Sequence, residues 1–122
     1  MRCILNTNKK KLIKIRIQIK NEFYIGPGKI LLLEKIGEKG SISKAAESIG
    51  LSYKKAWKLI DELNRYSSKK LVYAKSGGKG VRGSQLTNEG KTFINIFRNI
   101  ESKLTKLTIK EKKDLESLFS DI

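Results

Sequence analysis

The stretch that most constrains the fold runs from Ser41 to Tyr66 and reads SISKAAESIGLSYKKAWKLIDELNRY. Gly50 lies near its middle, and on both sides apolar residues recur at the three- and four-residue spacing that marks one face of a helix. The two inward faces would be formed by Ala45, Ala46 and Ile49 and by Ala56, Leu59, Ile60 and Leu63. This pattern predicts a helix-turn-helix whose first helix begins at Ser43 and whose second helix runs from after Ser52 to about Arg65.

The charge of the chain is strongly positive, because 122 residues include 27 Lys and Arg against 12 Asp and Glu, a formal net charge of +15. Part of this excess falls on the second helix, where Lys54, Lys58 and Arg65 lie opposite the apolar face together with Asp61. A basic face on a helix-turn-helix indicates a polyanion, and double-stranded DNA is the partner that we expect. Lys54, Lys55 and Lys58 are the side chains expected nearest the major groove.

Four residues near the helix starts have roles that the sequence leaves partly open. Ser43 and Ser52 are expected to be N-caps, because a serine oxygen accepts from the unpaired amides of a first helical turn. Ser52 could also contact DNA phosphate through the helix N-terminus, or serve both purposes. Beside the apolar face, we expect Trp57 to pack on the strands and the first helix. For Tyr53, packing in the core and contact with the DNA backbone are equally expected.

The chain before the helix-turn-helix combines a basic start with a strand pattern. Residues 1–11 are polar and basic, and we expect partial disorder there. From Leu12 to Lys20 isoleucines alternate with polar residues, which is typical of a strand with one buried face. Its basic outward face either protects an edge strand from aggregation or contacts DNA. A second strand at Phe23 to Ile25 would complete a hairpin, and after Pro27 an apolar first helix is predicted from about Gly28 to Glu38.

The segment after the helix-turn-helix has the pattern of a β-hairpin with a basic tip. Strands are predicted at Leu71 to Lys75 and at Val81 to Leu86, with the glycine-rich sequence SGGKG between them. From Lys69 to Arg82 the segment has five basic residues and no acidic one. This predicts a wing in which Lys75, Lys79 and Arg82 contact DNA phosphate or the minor groove.

A long helix is predicted to follow, with Thr87 as its N-cap. Its apolar residues are spaced four, three, four and three, and they are Phe93, Phe97, Ile100, Leu104 and Leu107. This seam favours a dimer contact, and the alternative is intramolecular packing on the first helix and the wing. Thr108 and Glu111 have the spacing of a capping box, so residues 108–122 are predicted to form a separate short amphipathic helix.

The composition also removes whole classes of function. With no histidine and only Cys3, the chain can assemble neither a zinc cluster nor an evident catalytic constellation, which predicts that it is not an enzyme. The longest apolar run, Ile30 to Leu33, is far too short to cross a membrane, and the basic N-terminus lacks the apolar core of a signal peptide. We therefore expect a cytoplasmic protein without a membrane partner.

Two segments of the chain resemble the N-terminal DNA-binding domain of the molybdate-responsive transcriptional regulators of the ModE family, itself similar to the LysR-type winged helix-turn-helix. The first segment runs from Phe23 to Asn64 and includes GPG, GSISKAA and GLSYKKAW. The second, GGKGVRGSQLTNEG, runs from Gly77 to Gly90. The resemblance extends from about Lys11 to Leu107, and four motifs together are more specific than a general helix-turn-helix match.

The resemblance implies a homodimer that binds palindromic DNA, with the second helix in the major groove and the wing alongside. Carried over by position, the DNA-binding residues are Ser43, Ser52, Tyr53, Lys54, Lys55, Lys58, Lys75, Lys79 and Arg82. Full-length members continue into oxyanion-binding domains, and about fifteen residues after Leu107 are too few to form one. We therefore expect no metal or oxyanion cofactor and no small-molecule effector.

These features predict a mainly α fold with a small β component. It would be a winged helix-turn-helix with an N-terminal strand or hairpin and a long C-terminal helix, divided into residues 1–11, 12–107 and 108–122. The function predicted is a dimeric, sequence-specific DNA-binding transcriptional regulator. Two alternatives are an architectural protein that binds DNA without reading its sequence and an interaction module that has lost DNA binding.

Overall fold

The computed structural model describes residues 12–76 and 82–119, which form a mainly α winged helix-turn-helix, as predicted. Two antiparallel hairpins, β1 with β2 and β3 with β4, flank the first three of four helices within these residues. The elements in chain order are β1 (Ile17–Lys20), β2 (Phe23–Ile25), α1 (Pro27–Lys39), α2 (Ile42–Ser48), α3 (Tyr53–Tyr66), β3 (Val72–Ser76), β4 (Arg82–Leu86) and α4 (Asn88–Ser117). The partial disorder expected for residues 1–11 lies outside the described part of the chain.

Helix α1 is the centre of the core, as its apolar sequence predicts. Its four fully buried side chains are Ile30, Leu32, Leu33 and Ile36. It contacts α2, β4 and α4, and the buried faces of α2 and α3 add Ala45, Ala46, Ala56, Ile60 and Leu63 to the same core. Pro27 at its first turn and Gly40 after its last residue bound the helix, with Gly40 at φ 71°, in the left-handed region that glycine tolerates.

The turn between α2 and α3 forms at Gly50, as predicted, with φ 72°. The prediction that Ser43 caps α2 is wrong. Ser41 is the N-cap, because its Oγ accepts from the amide of Lys44 at 3.1 Å, and Ser43 is exposed within the helix. The cap lies two residues earlier because Ile42 is buried on the inner face of α2 and therefore belongs to the first helical turn.

The N-terminal hairpin forms, but its first strand is shorter than predicted. Ile17 pairs with Ile25 and Gln18 with Tyr24, and the register then shifts, so that Lys20 pairs with Phe23. Such an irregularity breaks the alternation of the two faces. Ile19 is accordingly 50 % exposed, whereas Ile15 and Ile17 are partly buried against the core.

A cluster around Lys29 attaches this hairpin to the C-terminal half of α3. The ammonium of Lys29 donates to the Tyr24 carbonyl at 2.6 Å, lies 3.0 Å from a carboxylate oxygen of Glu62, and lies 4.5 Å from the centre of the Phe23 ring. The Phe23 ring in turn stacks on Tyr66, with ring centres 4.4 Å apart. Because the Lys29–Glu62 pair and the Phe23–Tyr66 stack both reach α3, the hairpin is tied to the helix that carries the basic face.

The last helix, α4, is continuous from Asn88 to Ser117 and about 45 Å long. The separate helix predicted to begin at Thr108 is therefore wrong, because no cap interrupts α4. The Thr108 hydroxyl donates instead to the carbonyl of Leu104 at 2.7 Å, a bond that threonine makes within helices. None of the helices in residues 12–76 and 82–119 combines the length and the apolar character needed to cross a bilayer.

The start of α4 is bound tightly to the residue before β3. The Thr87 Oγ1 accepts from the amide of Gly90 at 2.9 Å, which confirms the predicted N-cap, and the same hydroxyl donates to the carbonyl of Lys70 at 2.7 Å. The Thr87 amide donates to the carbonyl of Leu71 at 3.0 Å. A Cβ on Gly90 would lie only 2.3 Å from that carbonyl oxygen, so the close approach requires glycine. We call this contact the Leu71 junction.

Further along, an ion pair joins α4 to α1. The Arg98 guanidinium donates to both carboxylate oxygens of Glu34, at 2.9 and 2.6 Å, and to Glu101 at 2.6 Å. Hydrogen bonding to Glu34 raises the pKa of Arg98 above its ordinary value, although partial burial opposes the shift. Two-point contact between planar groups fixes orientation as well as distance, so the direction of α4 relative to α1 is set here.

Candidate nucleic-acid interface

The basic face predicted for α3 is present. Lys54, Lys55 and Lys58 are exposed, and so are Asp61 and Arg65 further along the helix. Asp61 and Arg65 approach within 3.9 Å, a separation at which an exposed pair contributes little to stability. Among the described residues, no carboxylate forms an ion pair with the three lysines, so the first half of the solvent face is purely cationic.

The start of α3 has the cap that the sequence predicts. The Ser52 Oγ accepts from the amide of Lys55 at 3.1 Å. Contact between Ser52 and DNA phosphate stays a prediction. The amides of the first turn of α3 lie beside exposed lysines, so this end of the helix is favourable for an anion.

The prediction that Trp57 packs on the strands and the first helix is wrong. Its side chain is 44 % exposed, and that of Tyr53 is 55 % exposed. The Trp57 Nε1 donates to the Tyr53 hydroxyl at 2.5 Å, and the rings meet edge to face with centres 6.5 Å apart. At 100° per residue, Trp57 lies at the border between the apolar and polar faces. Seven residues further along the same border, Asn64 bonds to β3, whereas Trp57 bonds to Tyr53 within α3 itself.

Asn64 is a positioning residue that the sequence analysis did not find. Its Oδ1 accepts from the amides of Leu71 at 2.9 Å and Val72 at 3.2 Å, while its Nδ2 donates to the Val72 carbonyl at 3.1 Å. An asparagine inside a helix competes with the backbone for hydrogen bonds and is usually unfavourable there. Its place in the last turn of α3, shortly before the strand predicted from Leu71, was the available signal. These bonds fix the C-terminal end of α3 relative to the wing.

The wing itself is the hairpin of β3 and β4, in the register Val72 with Leu86 through Ser76 with Arg82. Lys75 is exposed on β3. Arg82 is placed by its backbone at the start of β4. Lys79 and the tip predicted at SGGKG lie outside the described residues apart from Ser76. The contact of these basic residues with DNA stays a prediction.

The wing packs closely on the turn between α1 and α2. The Ser84 amide donates to the carbonyl of Gly40 at 2.9 Å. A Cβ on Gly83 would lie 2.5 Å from that carbonyl oxygen, so the two backbones approach at glycine. Together with Asn64, this contact holds the wing at two points, one on each side of the helix-turn-helix.

The seam predicted on α4 is divided by the structure. Phe97 is 2 % exposed and belongs to the core, and Phe93 packs partly buried against that core. Ile100 is half-buried. Leu104 and Leu107, by contrast, are 36 % and 56 % exposed. The intramolecular alternative therefore holds for the N-terminal part of the seam, and only its C-terminal part is available to a partner.

The helix-turn-helix and the wing match a known protein family. The family model for bacterial regulatory helix-turn-helix proteins of the lysR family matches residues 28–91, from the first turn of α1 to the first turn of α4. The match includes α2, α3 and the wing. The β1–β2 hairpin and most of α4 lie outside it.

Individual proteins are also similar to this chain. The chain is 38% identical over 85 residues to the DNA-binding transcriptional dual regulator ModE of Escherichia coli K12, covering 70% of this chain and 32% of that protein. It is 33% identical over 113 residues to the transcriptional regulator ModE of Yersinia pestis, covering 90% and 43%. The corresponding match to the molybdenum-pterin-binding protein MopB of Rhodobacter capsulatus is 38% over 91 residues, covering 75% and 34%.

These matches confirm the resemblance to a DNA-binding domain of the ModE type. The chain spans about a third of the length of the first of these relatives and less than half of the others.

Proposed function

The chain belongs to the LysR family of bacterial regulatory helix-turn-helix proteins, and from this premise we propose that it is a dimeric, sequence-specific DNA-binding transcriptional regulator. The observation that carries the proposal is the cationic first half of α3, where Lys54, Lys55 and Lys58 are exposed on a helix fixed by its neighbours. Cationic side chains neutralise phosphates and release counterions, which supplies affinity. A fixed helix lets side chains reach the same base edges each time.

In the proposed complex α3 enters the major groove and the wing follows the backbone beside it. Asn64 and the contact at Gly40 hold the wing at a set distance from α3, so a single docking pose serves both elements. Lys54, Lys55 and Lys58 would neutralise phosphates at the groove, with Lys75 and Arg82 supplying charge from the wing. Ser52 and the amides of the first turn would donate to a phosphate oxygen.

The proposed dimer contact is the C-terminal half of α4. The apolar stripe of this helix continues past the core through four exposed leucines, interrupted by Glu111; these are Leu104, Leu107, Leu115 and Leu118. They lie within about 60° of the mean direction of Phe93 and Phe97 at 100° per residue. Continuity with the buried stripe supports a second copy of this chain as the occupant, because equal stripes can pack as two facing helices.

Selection from a random duplex pool tests the proposed function. We expect the protein to enrich an inverted repeat with half-sites about 34 Å apart, one helical turn, because two α3 helices must enter successive major grooves. Fluorescence anisotropy at several salt concentrations then measures affinity for the selected and scrambled duplexes. Equal affinity for both would support architectural binding, and no duplex binding would support an interaction module.

The dimer is tested by Leu107→Glu, which places a carboxylate in the exposed stripe. We expect this variant to be monomeric, because a buried charge at a helix contact is costly. Ile109→Glu is the matched control, since Ile109 is 55 % exposed and Leu107 56 % exposed, but Ile109 points about 160° away from the stripe. Sedimentation equilibrium measures the mass of each. A wild-type monomer, or a Leu107→Glu dimer, would contradict the proposed contact.

A further inference from the structure

The exposed aromatic pair Tyr53 and Trp57 occupies the first turns of α3, where the proposed function places DNA. Large aromatic groups are normally buried, because each removes a large apolar area from water when it is covered. Here two of them, four residues apart, are 55 % and 44 % exposed on the same helix as Lys54 and Lys58. Their exposure leaves an apolar surface beside a cationic one.

The pair lies on the same side of α3 as Asn64, the side that contacts the base of the wing. Trp57 and Asn64 are seven residues apart, nearly two full turns, and so they share one line along the helix. The side chain of Asn64 bonds to Leu71 and Val72 at the base of the wing. Tyr53 and Trp57 continue that line towards the free N-terminal end of α3. A duplex that lies against both the helix and the wing would cover them.

The polar atoms of the pair largely satisfy each other. The Trp57 Nε1 donates to the Tyr53 hydroxyl oxygen, which leaves the tyrosine proton as one remaining donor. What the pair offers to a groove is therefore the apolar edge of an indole next to a single hydroxyl donor. In the major groove the apolar feature of the base pairs is the 5-methyl group of thymine.

We propose that Trp57, held by Tyr53, contacts thymine 5-methyl groups in the major groove and so determines part of the sequence preference. The inference rests on the proposed function. A contact between lysine and phosphate carries no sequence information, whereas a methyl contact distinguishes thymine from cytosine and from uracil.

Uracil substitution tests the contact directly, because uracil differs from thymine only by the missing methyl group. Each thymine of the duplex selected by the wild-type protein is replaced by uracil in turn, and affinities are measured by anisotropy. At one or two positions in each half-site we expect about fourfold weaker binding by the wild-type protein, the value for exposing one methyl group.

Three variants separate methyl contact from other roles of the pair. Trp57→Ala should bind thymine and uracil duplexes equally, whereas Trp57→Phe keeps an aromatic surface and should retain sensitivity to the methyl group. Lys58→Ala should bind both duplexes more weakly but keep the ratio between them. Thermal unfolding of Trp57→Ala establishes that the helix is intact, since an aromatic pair four residues apart also stabilises a helix slightly.

An absent methyl contact and an absent DNA-binding function give different results in these experiments. If the protein selects a sequence but binds thymine and uracil duplexes equally, or if Trp57→Ala keeps the wild-type sensitivity, the methyl contact is wrong and the proposed function stands. If the wild-type protein binds no duplex, the proposed function itself is wrong.

Discussion

Reversing the charge of both Lys54 and Lys58 to glutamate is expected to weaken DNA binding by a factor on the order of 100 at ~0.15 M salt. Each substitution removes one phosphate contact and adds a charge that repels the duplex. The slope of log affinity against log salt should also become shallower by about four, because the proposed dimer loses two contacts in each protomer and each contact contributes about 0.9. Anisotropy titrations across a salt series measure both quantities. Stability should change little, since both side chains are exposed.

The matched control for this pair is Lys106→Glu with Lys110→Glu on α4. These lysines are also four residues apart and exposed, and they lie away from the apolar stripe. Both double variants change the net charge by the same amount. The comparison therefore tests whether affinity depends on where the lysines lie or only on the net charge. We expect the control to keep most of the wild-type affinity. An equal loss of affinity in the control would indicate that DNA binding uses no specific surface. Unchanged binding by the α3 variant would show that the basic face of α3 does not contact DNA.

Replacing Gly90 by alanine should lower the free energy of unfolding by about 3 kcal/mol. The added Cβ would lie 2.3 Å from the Leu71 carbonyl oxygen and 3.2 Å from its carbon, far inside normal contact. Leu71 cannot move away at low energetic cost, because its amide donates to Asn64 and its carbonyl accepts from the Thr87 amide. The melting temperature measured by circular dichroism should fall by roughly 10 to 15 °C.

Gly28→Ala is the control for this prediction. Gly28 is also a glycine in the first turn of a helix, but a Cβ there meets no atom within 4 Å. Alanine reduces the freedom of the unfolded chain and favours the helix, so this variant should be neutral or more stable by about 0.5 kcal/mol. If both variants melt at the wild-type temperature, the close packing at the Leu71 junction is wrong.

Much of this fold could be predicted from the sequence because its determinants are local. Gly50 marks the turn, Ser52 and Thr87 cap their helices, and the spacing of Ala56, Ile60 and Leu63 identifies the buried face of α3. Each of these signals is read within a few residues. The exposed face of α3 follows from the same periodicity.

The errors arose where two local patterns were equally permissible and a distant contact decided between them. Ser41 and Ser43 both suit a cap, and burial of Ile42 selects the first. Thr108, three residues before Glu111, could begin a helix or lie inside one. In the structure it lies inside α4. Trp57 lies at the edge of the apolar face, where the covering element decides its environment. The bonds of Arg98 to Glu34 join residues 64 apart, for which no periodicity is informative.

The Leu71 junction gives α4 the mechanical role of a lever arm. Asn64 of α3 and Thr87 at the start of α4 both bond to the backbone of Leu71, so the pivot of the arm is also the anchor of α3. The Arg98–Glu34 ion pair and the buried Phe97 hold α4 on the core further along, so the projecting arm is the part from Ser102 to Ser117, about 24 Å long. A tilt of roughly 5° moves the end of this arm by about 2 Å. In the proposed dimer, the stiffness of these contacts would therefore set how much variation in half-site spacing the protein tolerates.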